Sequence, residues 1–177
     1  MNPTEAKIIA ATVDWIKQHD YHQLSMRKLA GQIGMTTGAL YQHFRNKNEL
    51  FYQASLTLSQ EVVEHLQVDV TLSAEEQLLA IASGLTQLSQ AEPKLIDFLF
   101  FNPSLQEFYT HANARFAFYD QVMRLVQQVN PGEISDQQLF NQLWSFVQGY
   151  SLLIRNKVAS YDPQLVALIL YEFIQGA

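Results

Sequence analysis

The sequence predicts an all-α protein of about nine helices, with an N-terminal helix-turn-helix head of three helices and a larger helical body behind it. Three observations predict this. Apolar residues recur at helical spacing along the whole chain, no alternating segment runs longer than a few residues, and helix start signals are frequent and complete. No hairpin dipeptide interrupts the pattern.

The elements follow in order. Asn2-Pro3-Thr4-Glu5 supplies an N-cap, a proline at the first helical position and a capping-box glutamate. Ile9, Val13 and Ile16 then mark the buried stripe of a first helix that ends near His19-Asp20-Tyr21. Ser25 caps a short second helix that Gly34 breaks, and Thr36 caps a third running to about Phe44. Asn46-Lys47-Asn48-Glu49 reads as a capping box opening a fourth helix to about Leu66, with residues 67–72 as a linker. Ser73-Ala74-Glu75-Glu76 opens a fifth helix to about Gln90, and Pro93 opens a short apolar sixth ending near Phe101. Asn102-Pro103 is read as the start of a long helix reaching Val129, and Asn130-Pro131-Gly132 as a turn. Ser135-Asp136-Gln137-Gln138 caps an eighth helix to about Ala159, and Asp162-Pro163 starts the ninth.

The 177 residues allow a small head joined to a larger body, divided here as residues 1–48 and 49–177. Apolar residues at 48% support a sizeable core. The absence of cysteine excludes disulfides and thiolate chemistry. The start Met1-Asn2-Pro3-Thr4-Glu5 has no basic-then-apolar leader, and no apolar run reaches the ~18 residues a membrane span needs. A cytoplasmic location without membrane contact is expected. The net charge is −6, yet residues 1–50 carry six Lys and Arg against four Asp and Glu. Residues 51–177 carry five against thirteen, so a basic head precedes an acidic body.

Function is most legible in residues 24–51. Two helices crossing steeply over a tight turn need a small residue where they approach, which Ala30 supplies, and a residue tolerant of positive φ four positions on, which Gly34 supplies. Leu29, Ile33, Met35 and Leu40 can fill the core between them. The second of these helices shows Thr36, Thr37, Gly38, Ala39, Tyr41, Gln42 and His43, mostly small, polar or aromatic, suited to a major groove. Gln42 can pair with adenine, the Thr37 and Ala39 methyl groups can meet thymine, and Gly38 lets the backbone come close. Tyr41 is read as partly exposed with its hydroxyl on phosphate, and Phe44 as core. Ser25, Arg27 and Lys47 complete the expected DNA-binding set, Lys47 on a phosphate.

On these residues the sequence resembles the TetR family of bacterial regulators. The resemblance rests on Ser25-Met26-Arg27-Lys28-Leu29-Ala30, Gly34, Thr36, Gly38, Leu40, Tyr41, Phe44, Lys47, Glu49 and Leu50. Ala39 departs from the Ser or Thr that the family often places there. The resemblance implies a head of three helices, a fourth coupling it to the body, a homodimer through the last two helices, and a small ligand in the body that alters the separation of the heads. Double-stranded DNA with a palindromic operator is the implied partner.

The body carries no comparable motif. Phe98, Phe101, Phe116, Tyr119 and Trp144 are candidate walls of an apolar effector pocket, with His111 and Arg115 at its rim, although ordinary core packing explains the same rings and a surface charge ladder the same polar pair. Leu165, Leu168, Ile169, Tyr171 and Phe173, with Leu139, Leu143, Tyr150 and Leu153, suggest a subunit interface. His19 and His22 are read as a solvated helix end, so no metal and no cofactor is expected. Catalysis lacks a signature: there is no phosphate-binding glycine loop, HExxH or GxSxG. The expected function is a ligand-responsive repressor. The alternatives are a regulator answering to a protein partner, or a helical carrier or enzyme whose head has lost DNA affinity.

Overall fold

A computed structural model describes residues 2–105 and 116–176. Nine α-helices and no strand occur among them. They are α1 (Pro3–Gln18), α2 (Met26–Gln32), α3 (Thr37–His43), α4 (Lys47–Leu66), α5 (Ala74–Ala91), α6 (Pro93–Phe101), α7 (Ala117–Val129), α8 (Asp136–Arg155) and α9 (Pro163–Gln175). Single 3-10 turns lie at Tyr21–Gln23 and Pro103–Leu105. None of these helices is long and apolar enough to cross a membrane.

Side chains that satisfy the first backbone N–H groups set most helix starts. Asn2, Ser73 and Ser135 each form a complete capping box, with Glu5, Glu76 and Gln138 returning the bond. The box expected at the start of α4 forms only in part. Asn46 Oδ1 accepts from the Glu49 N–H at 2.8 Å, but Glu49 Oε2 accepts from the Arg45 N–H, one residue earlier than a box requires.

Two ends differ from expectation. The helix expected from Asn102-Pro103 to Val129 is not continuous: Pro103–Leu105 is a single 3-10 turn and α7 begins at Ala117. The Leu105 N–H bonds to the Asn102 carbonyl three residues back, and Asn102 Oδ1 takes the Ser104 N–H, so the turn closes on itself. Helix α8 stops at Arg155 rather than near Ala159, because Lys157 adopts φ +59° and the Lys157 and Val158 N–H groups fold back onto the Ile154 and Leu153 carbonyls. This is the glycine-type helix stop made without glycine.

The chain divides into two compact units. The first comprises Met1–Glu61 with Lys94–Phe116. Its core is the buried stripe of α1 (Ile8, Ile9, Val13, Ile16) with Leu29, Leu40, Phe44, Leu50, Phe51 and Leu58. Three rings, Tyr21, Phe51 and Phe98, meet edge to face with centroids 5.1–6.0 Å apart, an arrangement the ring quadrupole favours. The second unit comprises Val62–Pro93 with Ala117–Ala177, in which α5, α7, α8 and α9 pack together. Leu78, Ile81, Leu85, Val122, Val126, Leu139, Leu143, Val147, Val166 and Leu170 are buried there. The Tyr150 hydroxyl donates to the Ser160 carbonyl and accepts from the Asp162 N–H, both at 2.8 Å, which fixes the connection into α9.

Candidate DNA-binding site

The site is built on the corner between α2 and α3. Ser25 caps α2 by accepting the Lys28 N–H, and Leu29 and Ala30 are buried on its inner face. Gly34 stands at φ +72°, a conformation that would strain any residue with a Cβ. Its N–H bonds to the Gly31 carbonyl and that of Met35 to the Ala30 carbonyl at 2.9 Å, the paired closure of a Schellman stop. The chain turns there, and Thr36 Oγ1 caps α3 by accepting the Ala39 N–H at 3.1 Å. Leu40 is fully buried against this corner and Phe44 is buried at the far end, which fixes the rotation of α3.

That rotation decides what α3 shows outward. Gly38, Tyr41 and Gln42 are exposed, Tyr41 by 51%, and Thr37 and Ala39 are half-buried. A Cβ built at Gly38 would meet no other atom, and its φ is not in the left-handed range. Nothing in the protein's own packing therefore calls for glycine there, although glycine inside a helix costs about 1 kcal/mol relative to alanine.

Two residues of the expected set are directed inward. His43 places Nδ1 3.6 Å from Glu5 Oε1 on α1, so its ring faces the first helix of the head. Lys47 donates to the Tyr21 carbonyl at 3.4 Å and lies 4.7 Å over the Phe51 ring. Burial pulls the Lys47 ammonium below the ordinary lysine value, opposed by the Asp20 carboxylate. Ser25 and Arg27 are exposed at the start of α2.

The expected pocket residues lie in different settings. Phe98 is fully buried in the ring cluster of the first unit, and Phe116, also buried there, meets Tyr52 edge to face. Phe101, in the same unit, is 47% exposed. Tyr119 and Trp144 belong to the second unit, where Tyr119 packs on Phe140 and donates to Gln137, and Trp144 stacks on Phe140. Trp144 also lines an apolar cavity of about 30 Å³ with Leu78, Leu85, Phe118, Val122 and Leu170. His111 and Arg115 lie outside the described residues.

Of the four interface residues expected on α8, three require correction and Leu153 does not. Leu139, Leu143 and Tyr150 are buried within their own unit and unavailable to a partner, whereas Leu152 and Leu153 are exposed. On α9, Leu165, Leu168 and Tyr171 form an exposed stripe at three-residue spacing, Leu168 and Tyr171 by 55% each.

Fold and corner together define a helix-turn-helix protein with its second short helix offered outward on a buried corner. Residues 8–54 match the family model described as bacterial regulatory proteins, tetR family. The fatty acid metabolism regulator protein of Bacillus subtilis (strain 168) is 29% identical over 83 residues, which cover 46% of this chain and 43% of that protein. The match thus spans less than half of the relative. Among solved structures, BioQ with its double-stranded DNA operator superposes with a TM-score of 0.70 at 18% identity, covering 98% of each chain. The fatty acid degradation regulator FadR from Bacillus halodurans gives 0.66 at 20% identity, covering 98% of this chain and 96% of that one. The head thus resembles that of the tetR family over residues 8–54, and the fold is shared with these two structures along nearly the whole chain.

Proposed function

We propose that this protein is a DNA-binding transcriptional regulator, a ligand-responsive repressor that binds a palindromic operator as a homodimer in the cytoplasm. Residues 1–48 act as its DNA-binding domain and residues 49–177 as its regulatory domain. The single observation that carries the reading is α3: it is rigidly seated through Leu40 and the Gly34 corner, yet it exposes Gly38, Tyr41 and Gln42. The glycine that the fold itself does not need is accounted for by close approach of a base edge or phosphate. Enrichment of duplexes from a random library tests this. A two-fold symmetric sequence should emerge, and recovery of no preferred sequence would remove the regulator reading. On the enriched duplex, Gln42→Ala is expected to lose about 1–3 kcal/mol of discrimination at one base position per half-site. Unchanged discrimination at every position would take Gln42 out of the reading face.

The exposed stripe of α9, with Leu152 and Leu153 on α8, supports dimerisation. It is an apolar face of the kind that monomers rarely leave open to water. A small, largely apolar effector fits the second unit, whose cavity beside Trp144 has apolar walls. At about 30 Å³ that cavity admits little more than a water, so an effector enters only as the side chains around it move apart. Two of the similar proteins are named as regulators of fatty acid metabolism or degradation, and a hydrocarbon chain has the character this cavity accepts. Saturated fatty acids of graded length are suitable probes. In a Trp15→Phe variant, Trp144 is the remaining tryptophan; its emission should shift on binding, and operator affinity should fall by about 1–3 kcal/mol at saturation. Constant emission and constant affinity across the series would rule out this effector class.

A further inference from the structure

We propose that the DNA backbone is gripped by the two arginines that bracket the reading helix, Arg27 and Arg45, and that Lys47 is a positioning residue inside the head. The proposal deepens the reading of this head as DNA-binding and rests on it. It comes from where the cations of the first unit go. Each of its lysines is engaged. Lys7 donates to the Ile33 carbonyl at 3.3 Å, Lys28 to that of Gln23 at 3.0 Å, Lys47 to that of Tyr21, and Lys94 to that of Gln18. Lys17 pairs with Glu61 at 2.6 Å.

The four carbonyls lie at ends of helical turns: the last residue of α1, two residues of the 3-10 turn, and the C-cap of α2. The Tyr21 carbonyl also takes the Leu24 N–H, whereas carbonyls at the ends of α1 and α2 lack onward helical donors and a cation there is favoured by the helix dipole. The lysines thus fasten the pieces of the head to one another. Lys47 spans 26 residues to hold the 3-10 turn against the start of α4. Its ammonium is part-buried between that carbonyl and the Phe51 ring.

The guanidinium groups of Arg27 and Arg45 are different. Both residues are exposed, and neither side chain makes a hydrogen bond or ion pair with a described residue. Their backbones are nevertheless fixed. Arg27 lies in the first turn of α2 behind the Ser25 cap, and the Arg45 N–H is held by Glu49 Oε2 at 2.7 Å just past the end of α3. A planar fork on a fixed backbone, one on the element before the reading helix and one just after it, suits bidentate contact to phosphate oxygens.

The test is the salt dependence of binding to the enriched duplex, labelled with fluorescein and followed by anisotropy. Each phosphate contact contributes about 0.9 to the slope of log affinity against log salt. Arg27→Ala and Arg45→Ala should each reduce the slope by about 0.9 per head and leave the melting temperature unchanged. Lys47→Met should leave the slope at the wild-type value. It should lower the melting temperature and reduce several-fold the preference for the enriched over a scrambled duplex, while circular dichroism shows the protein folded. A slope unchanged in the Arg27→Ala/Arg45→Ala double variant overturns the proposal, as does a slope reduced by Lys47→Met. If Lys47→Met does not fold, the two arginine variants decide alone. Wild-type protein without salt-dependent duplex binding would sink the underlying DNA-binding reading instead, before any variant is compared.

Discussion

Glutamate at both Leu168 and Tyr171 is expected to convert the protein to a folded monomer and to lower operator affinity by about 100- to 10,000-fold, the range by which two linked heads exceed one. Both side chains are more than half exposed on α9, so charge there costs the unit little of its own packing. Buried beneath a partner, the same two carboxylates would lose their solvation without compensation. Sedimentation velocity reads the assembly and anisotropy reads the affinity. A double variant that remains dimeric and binds like the parent would place the interface away from this stripe.

The second large effect is expected at Phe98. Its ring is fully buried and meets both Tyr21 and Phe51 edge to face. Phe98→Ala should cost about 3–5 kcal/mol of stability, as truncation of a core ring leaves a cavity as well as removing transfer free energy. That is a large part of the 5–15 kcal/mol by which a domain is ordinarily stable. Urea denaturation should show it directly, with DNA binding lost in step. A variant with near-parent stability but an altered effector response would return Phe98 to a pocket wall. Trp144, by contrast, borders an apolar cavity of about 30 Å³ in the second unit.

The corner of the head was legible from sequence because each of its requirements is local. A positive φ needs glycine at position 34, a buried approach needs alanine at 30, and a cap needs a short oxygen-bearing side chain at 25 and 36. The same holds for the capping boxes of α1, α5 and α8. At the end of α8, where structure departed from expectation, the local signal was missing. Helix α8 stops over Lys157, which takes the left-handed conformation without the glycine that would have announced it. Three of the four interface residues expected on α8, all but Leu153, were misplaced by phase. Leu139, Leu143 and Tyr150 share a face with Val147 and Ile154 and are buried with them, while Leu152 and Leu153 point elsewhere. Periodicity finds that face but does not say which neighbour covers it.

The sequence by itself determined the all-α class, the positions of most helix starts and the helix-turn-helix corner. These follow from backbone geometry and from hydrogen bonds between residues a few positions apart. Only the tertiary structure decided the roles of the cations and rings. Lys7 and Lys47 each reach a carbonyl 26 residues away, His43 turns to Glu5, and Phe98 closes a ring cluster with Tyr21 and Phe51. In sequence, a lysine bound to a carbonyl and one open to phosphate look the same. The difference is a distance between segments far apart in the chain, set by how the helices pack.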